Sequence, residues 1–373
     1  MRIAFVGGGT AGHVQPILAI YEELKRARPE SAVLFFTRKD GAECSPLSAL
    51  GEKTVALTVK GLSRRHPMQN RTLPRTLRLA KETATAELRA FSPDLVFSTG
   101  GYVGYPVLSA AKKLGIPFVL HESNAAPGLV IRLFAKRAAV TLLGFASAKD
   151  RLPEKAKILT VGNPVRPSLA AKSRKEVRAA LGLSEEDFFI LSFGGSLGAE
   201  KLNRAVLGVM KEEAHRKNLL HIHAVGRRYY ENVRADVPQF CIGGGNVRVL
   251  SYIDRMEDFL PGADLVLSRA GAMSVSEFLR TRVPAILIPS PNVAGDHQTK
   301  NARTLADAGA AILLPEKDLT EERLRSEIEA LRTHRERLSA MRRAAAGAEG
   351  APAEKQIVKL FEKMCSATDY LDF

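Results

Sequence analysis

Tryptophan is absent from this chain of 373 residues, and cysteine occurs only as Cys44, Cys241 and Cys365. That scattered placement fits neither a disulfide framework nor a zinc site, so free thiols in a reducing cytosol are expected. No apolar run approaches the roughly 20 residues that a transmembrane helix needs. The opening run meets glycine directly after Val6, which is too short for a signal-peptide core and reads as a buried strand. No Gly-Lys-Ser/Thr follows a glycine loop, which excludes a Walker A phosphate site. Nor is there an Asp-x-Asp pair suited to holding magnesium beside a diphosphate.

Acid is also scarce, and unevenly so. The net charge is +15, and residues 1–162 carry 24 Lys+Arg against 12 Asp+Glu. Between Lys53 and Lys81 there are eight bases and no acid, interspersed with Met68, Leu73, Leu77 and Leu79. Bases among aliphatics suit an anionic membrane surface, where each charge contributes about 1 kcal/mol. Nucleic acid is the competing partner. The stretch has few aromatics and the chain no zinc-finger spacing or RNA-binding signature, so no nucleic acid is expected. A solvated basic face is the plainer alternative.

What is present is a globular composition, 45% hydrophobic and 25% charged, at a length that suits two domains. Apolar runs at Arg2–Val6, Ala32–Phe36, Thr54–Leu57, Asp94–Ser98, Pro117–His121 and Ala139–Leu143 predict strands. Helical spacing between them predicts helices over Val14–Arg28, Thr72–Ala90 and Pro106–Leu114. The alternation restarts with strands Phe188–Phe193, Leu219–Val225, Asp264–Ser268 and Ala285–Ile288, and a helix Ala199–Ala214. Repeated βα units imply parallel sheets with right-handed crossovers, twice over. The expected fold class is therefore α/β: two Rossmann-like, doubly wound domains, 1–162 and 163–349, divided within Val161–Pro167. After a loose run Ala344–Ala353, an amphipathic helix Glu354–Met364 is expected, in a C-terminal segment of about 350–373 that packs back on the first domain.

Glycine loops follow strands in both halves. Gly7, Gly9 and Gly12 satisfy G-x-G-x-x-G, a spacing that lets backbone N–H groups approach an anion at a helix start. Alone it suggests an NAD site equally well. The second strand ends in Arg38-Lys39 instead of an acid, which disfavours NAD and leaves an NADP reading open. His13, in the first helical turn, speaks against both. A second loop, Gly194-Gly195-Ser196-Leu197-Gly198, offers another anion site with a hydroxyl donor. Two such loops suggest a ligand clamped between two domains, at the carboxyl ends of both sheets. Ser274 and Glu277 match a capping box, or Glu277 accepts ribose hydroxyls. Asp296-His297-Gln298 opens a helix facing the same sheet edge. Thr99-Gly100-Gly101-Tyr102 and His121-Glu122-Ser123-Asn124 end two further strands on the edge that carries His13.

Together, Gly8–His13, Thr99–Tyr102, His121–Asn124, Gly162–Arg166, Gly194–Ser196 and Gly271–Glu277 resemble, in order and spacing, the MurG family. Its members transfer N-acetylglucosamine from UDP to lipid I, giving lipid II for peptidoglycan, at the cytoplasmic face of the bacterial inner membrane. The resemblance runs to about Leu314 and implies the GT-B architecture, with two domains facing each other across a cleft, the acceptor on the first and UDP-N-acetylglucosamine mainly on the second. It implies that Thr10, Ala11 and Gly12 line the donor's diphosphate and sugar, and that Asn124 meets the N-acetylglucosamine ring. Arg166 and Ser196 would hold phosphate oxygens, the backbone of Ile253 would read uracil, Glu277 would take the ribose, and Gln298 would touch the sugar. Ala272, Met273 and Ser274 share the donor segment, while Gly100, Gly101, Tyr102 and Glu122 fall on the acceptor side. Members usually have glycine at position 11 and glutamine at 197, so Leu197 receives no role. A UDP-N-acetylglucosamine 2-epimerase, a diacylglycerol glycosyltransferase and an NADP-dependent oxidoreductase remain as alternatives.

The chemistry implied is inversion: an acceptor hydroxyl attacks the anomeric carbon as UDP leaves. Fixed dipoles, Ser196 and Arg166 can stabilise the leaving diphosphate, so no cofactor is required and a divalent cation is at most a stimulant. The attacking hydroxyl needs a base with a pKa near neutral, and His13 is the expected catalytic residue.

Overall fold

The computed structural model describes residues 1–9, 11–39, 47–61, 71–195, 197–214, 216–236, 245–348 and 350–366. The chain forms two compact units, Met1–Arg166 with Gly350–Phe373, and Pro167–Glu349.

In the first unit the apolar runs become strands β1 (Arg2–Val6), β2 (Ala32–Arg38), β3 (Lys53–Leu57), β4 (Leu95–Ser98), β5 (Phe118–Glu122), β6 (Val140–Leu143) and β7 (Ile158–Thr160). They pair in parallel in the order β3-β2-β1-β4-β5-β6-β7. Strands buried on both faces can be apolar throughout, as β1 and β4 are apart from Arg2 and Ser98. Val6 lies beside both Phe36 and Ser98, and Ser98 beside Leu120. This register brings the loops after β1, β4 and β5 out on one edge. Helices α1 (Ala11–Ala27), α2 (Leu73–Phe91), α3 (Gly101–Leu114) and α4 (Leu129–Phe134) cover the faces. The C-terminal helix, Ala353–Ser366, belongs to this unit: Phe361 packs 6.3 Å from Phe5 and 5.4 Å from Phe97, centroid to centroid.

The second unit has the order β10-β9-β8-β11-β12-β13, from β8 (Phe188–Phe193), β9 (Leu219–Ala224), β10 (Val247–Leu250), β11 (Leu265–Ser268), β12 (Ala285–Leu287) and β13 (Ala311–Leu313). Its helices are α5 (Arg174–Ala180), α6 (Glu200–Glu213), α7 (Arg227–Asp236), α8 (Ala272–Thr281), α9 (His297–Asp307), α10 (Glu321–Thr333) and α11 (Arg335–Ala348).

Several expectations need correction. Helix α3 starts at Gly101, five residues before the expected Pro106, because the left-handed turn at Gly100 and Gly101 (φ 86° and 70°) leads straight into it. Helix α11 continues to Ala348, into a run read as loose. Strands β7, β10 and β13 are not among those expected, although β13 is no shorter than the expected β12. The units divide at 166/167, where 162/163 was expected. The reason is local: Gly162 donates to the Leu143 carbonyl, Asn163 Nδ2 to the Ser123 carbonyl (3.0 Å), and Val165 N to Glu354 (3.4 Å), all within the first unit.

Polar groups are buried in both sheets. In the second unit Ser192 Oγ lies 2.8 Å from both His221 Nε2 and His223 Nδ1, and Glu213 Oε2 is 2.5 Å from His221 Nδ1. Burial and the neighbouring His221 push His223 down to about 3, and burial pushes His121 down to about 4. Both rings therefore stay neutral in the native state after unfolded histidine has taken a proton. Stability from each is present above about pH 6.5 and is lost as pH falls, by up to about 1.4 kcal/mol per pH unit. Imidazole NMR resonances of His121 and His223 are expected to show no titration above pH 5. A midpoint near 6.5 for either would contradict this reading.

Candidate active site

His13 stands in the first turn of α1, and its placement comes from the neighbouring strand end. Its Nδ1 lies 2.9 Å from the Thr99 carbonyl, which can only accept, so Nδ1 carries the proton of the neutral ring. Nε2 is then the basic nitrogen. Thr99 Oγ1 in turn donates to the His13 carbonyl at 2.7 Å, which locks the loops after β1 and β4 together. The ring lies over the Gly100-Gly101 turn: a Cβ at Gly101 would sit 3.3 Å from His13 Cδ2 and 2.5 Å from the Gly8 carbonyl oxygen. A Cβ at Gly9 would meet the Tyr102 ring at 3.0 Å, and Tyr102 Oη accepts from Arg38 Nη1 at 2.8 Å. Arg38, considered for a 2′-phosphate, thus braces Tyr102.

The loop after β5 is organised by a buried carboxylate. Glu122 Oε1 accepts from Asn124 N (2.8 Å) and Nδ2 (3.2 Å), and Oε2 accepts from Gly128 N (2.7 Å). Burial raises the Glu122 pKa against these donors. The carboxylate expected on the acceptor side therefore holds Asn124 in place. Arg166 is the last residue of the first unit and is half-buried.

In the second unit the loop between β8 and α6 carries Gly194, whose Cβ would lie 2.5 Å from Ala199 N, and Gly195 and Gly198 in left-handed conformations. Leu197 is largely exposed. Ile253, Ala272 and Met273 are buried, and Ser274 and Glu277 half-buried. Helix α8 begins at Ala272 with Gly271 as N-cap and no side-chain cap, which removes the capping-box reading of Ser274 and Glu277. Gln298 Oε1 accepts from Ser290 N at 2.9 Å, so its amide N–H donors are the part able to meet a ligand. The positions of Thr10 and Ser196 and the side chain of Ala11 lie outside the described residues, as do Cys44, Cys241 and residues 62–70 of the basic stretch; Cys365, which is described, is a free thiol.

Arg269 was given no role by sequence. It donates from Nη1 to the carbonyls of Ile288 (3.1 Å) and Pro289 (3.3 Å) and pairs with Glu316, tying the ends of β11 and β12 together. Only its place after a strand, beside Gly271, hinted at this. Among the described residues no group of three or more His, Cys, Asp or Glu is placed to hold a metal ion.

Two doubly wound units, each with a glycine loop between its first strand and helix, define the class of two-domain Rossmann-like proteins. The glycosyltransferase family 28 N-terminal domain matches residues 3–142, and the family 28 C-terminal domain residues 189–357. A Moorella thermoacetica UDP-N-acetylglucosamine--N-acetylmuramyl-(pentapeptide) pyrophosphoryl-undecaprenol N-acetylglucosamine transferase is 38% identical over 97% of this chain and 99% of its own. A Leuconostoc mesenteroides transferase of the same description is 37% identical over 86% and 87%. The crystal structure of Acinetobacter baumannii MurG superposes with a TM-score of 0.74 at 28% identity, over 97% of this chain and 99% of that one. The chain belongs to glycosyltransferase family 28, in its MurG branch.

Proposed function

We propose that this enzyme transfers N-acetylglucosamine from UDP-N-acetylglucosamine to the N-acetylmuramyl sugar of undecaprenyl-diphosphate-linked lipid I, giving lipid II for peptidoglycan. The observation that carries this reading is the interlock of the β1 and β4 loops around His13, which leaves Nε2 as the basic nitrogen at the sheet's carboxyl edge. A solved UDP-N-acetylglucosamine 2-epimerase of Neisseria meningitidis shares the fold at 15% identity (TM-score 0.65), and relatives at 34–38% over nearly the whole chain favour the transferase.

His13 Nε2 takes the proton of the acceptor's 4-hydroxyl as that oxygen attacks the anomeric carbon, giving a β-1,4 bond with inversion. Asn124, held by Glu122, meets the donor sugar. The N–H groups of the Gly194–Gly198 loop, with Ser196 and Arg166, take the charge that gathers on the departing diphosphate. Glu277 accepts the ribose hydroxyls, the Ile253 backbone reads uracil, and Gln298 donates to the sugar. Because the leaving charge is met by fixed dipoles, the chemistry requires no cofactor. Labelled sugar is expected to pass from UDP-N-acetylglucosamine to a lipid I analogue, with chelator leaving turnover largely intact. Epimerisation without acceptor, or transfer to diacylglycerol, would overturn the assignment.

The acceptor's lipid tail calls for a membrane surface. Among the described residues no helix is long and apolar enough to cross a membrane. Leu79 on α2 (53% exposed), Tyr105 on α3 (37%), and Leu129 (61%) and Leu133 (50%) on α4 present apolar groups to solvent. Helix α3 packs against both α2 and α4. Arg75, Arg78, Arg132, Lys136 and Arg137 are exposed on α2 and at the end of α4, and α2 continues the basic stretch Lys53–Lys81. This combination suits peripheral docking on the anionic cytoplasmic leaflet. Co-sedimentation with phosphatidylglycerol vesicles is expected to weaken about tenfold in L129S/L133S and to fall with salt. Binding indifferent to both would refute it.

A further inference from the structure

The second unit has a cavity of about 230 Å³ whose lining includes Lys172, Arg174, Arg280, Arg282 and Arg342, with Leu169 and Pro261 as an apolar wall. It lies at the amino edge of the sheet, since Asp264 immediately precedes β11 and Arg282 precedes β12. The donor loops follow strands and so occupy the opposite edge. We propose that this cavity binds the phosphate group of a small organic phosphate or of a lipid headgroup.

The charge arrangement supports this. Three guanidinium groups share the one carboxylate of Asp264: Arg174 at 2.6 Å, Arg178 at 3.0 Å and Arg342 at 3.7 Å. Asp258 pairs with Lys172 and, at 3.0 Å, with Arg255, which also pairs with Glu257 at 3.5 Å, so these four charges balance. The excess of positive charge therefore gathers around Asp264, where burial together with Arg174 and Arg178 pushes Arg342 down to about 10. An added anion would relieve that mutual repulsion. Planar guanidinium forks match phosphate oxygens two at a time, and their orientation is already set: Arg342 donates to the Ala263 carbonyl at 2.8 Å, and Arg174 to those of Gly262 and Ala263 at 2.9 Å. Leu169 and Pro261 give the carbon part of an ester an apolar contact. In the rival account these cations only neutralise Asp264 and the negative C-terminal end of α8.

The test is calorimetric titration of the full chain with inorganic phosphate and with pyrophosphate. Saturating UDP is present to fill the donor loops, and ionic strength is matched with chloride. A second arm measures binding to phosphatidylglycerol vesicles. Saturable binding of either soluble anion, weakened at least about tenfold in K172Q/R280Q, supports a free phosphate source. Vesicle binding weakened by the same variant, with no soluble binding, supports a headgroup. Arg282→Gln, at an exposed position, is the second variant should K172Q/R280Q not fold. No saturable binding in either arm, or binding unchanged in the variants, overturns the proposal.

Discussion

Replacing His13 with Ala is expected to lower kcat by about 10²-fold or more while the affinity for UDP-N-acetylglucosamine stays within about twofold, since a positioned general base contributes on that scale. The expectation follows from the ring's orientation. The Thr99 carbonyl fixes a proton on Nδ1, so in the neutral ring Nε2 is the nitrogen able to accept a proton without a change of tautomer. Stopped-flow transfer and a separate donor titration give the two quantities independently. His13→Gln can keep the contact with Thr99 but offers no comparable base, and is expected to be nearly as slow. Turnover within threefold of the parent in both variants would leave His13 as a residue that merely packs on Gly100 and Gly101.

The largest stability effect is expected at Asp264→Asn, at about 3–5 kcal/mol and roughly a 10 °C fall in the unfolding temperature. Arg178 is 2% exposed, and Asp264 Oδ2 accepts both from its Nη1 at 3.0 Å and from Phe189 N at 2.9 Å. Arg178 keeps its contacts with the carbonyls of Gly262 and Asp187, yet loses the counter-charge that makes burial of a guanidinium tolerable. The double variant D264N/R178M, which removes the stranded charge, is expected to recover much of the loss. A change below about 1 kcal/mol on urea unfolding of D264N would show the cluster to be nearly neutral in energy.

Much of the fold was legible because the buried strands are apolar throughout, as Phe118–Leu120 and Phe188–Leu191 are, and because glycine marks the turns that follow them. Helix α3 starts earlier than its sequence suggests. Tyr102, Val103 and Gly104 look like loop by composition, and only the turn at Gly100-Gly101 shows that the helix begins beside them. The partnerships of the site were not legible. Arg38 is 64 residues from Tyr102, and Thr99 is 86 from His13. No pattern of spacing says which of these will meet.

By itself the order of residues determined the alternation of strand and helix, the glycine loops that end β1, β4 and β8, and the family to which the chain belongs. These are local matters: side-chain period and backbone freedom act over a few positions. Tertiary structure alone decided that Glu122 spends both oxygens on its own loop, that Arg38 serves Tyr102, and that Asp264 gathers Arg174, Arg178 and Arg342. Parallel pairing brings strand ends tens of residues apart to one edge, and burial then favours a partner for most of the polar groups there.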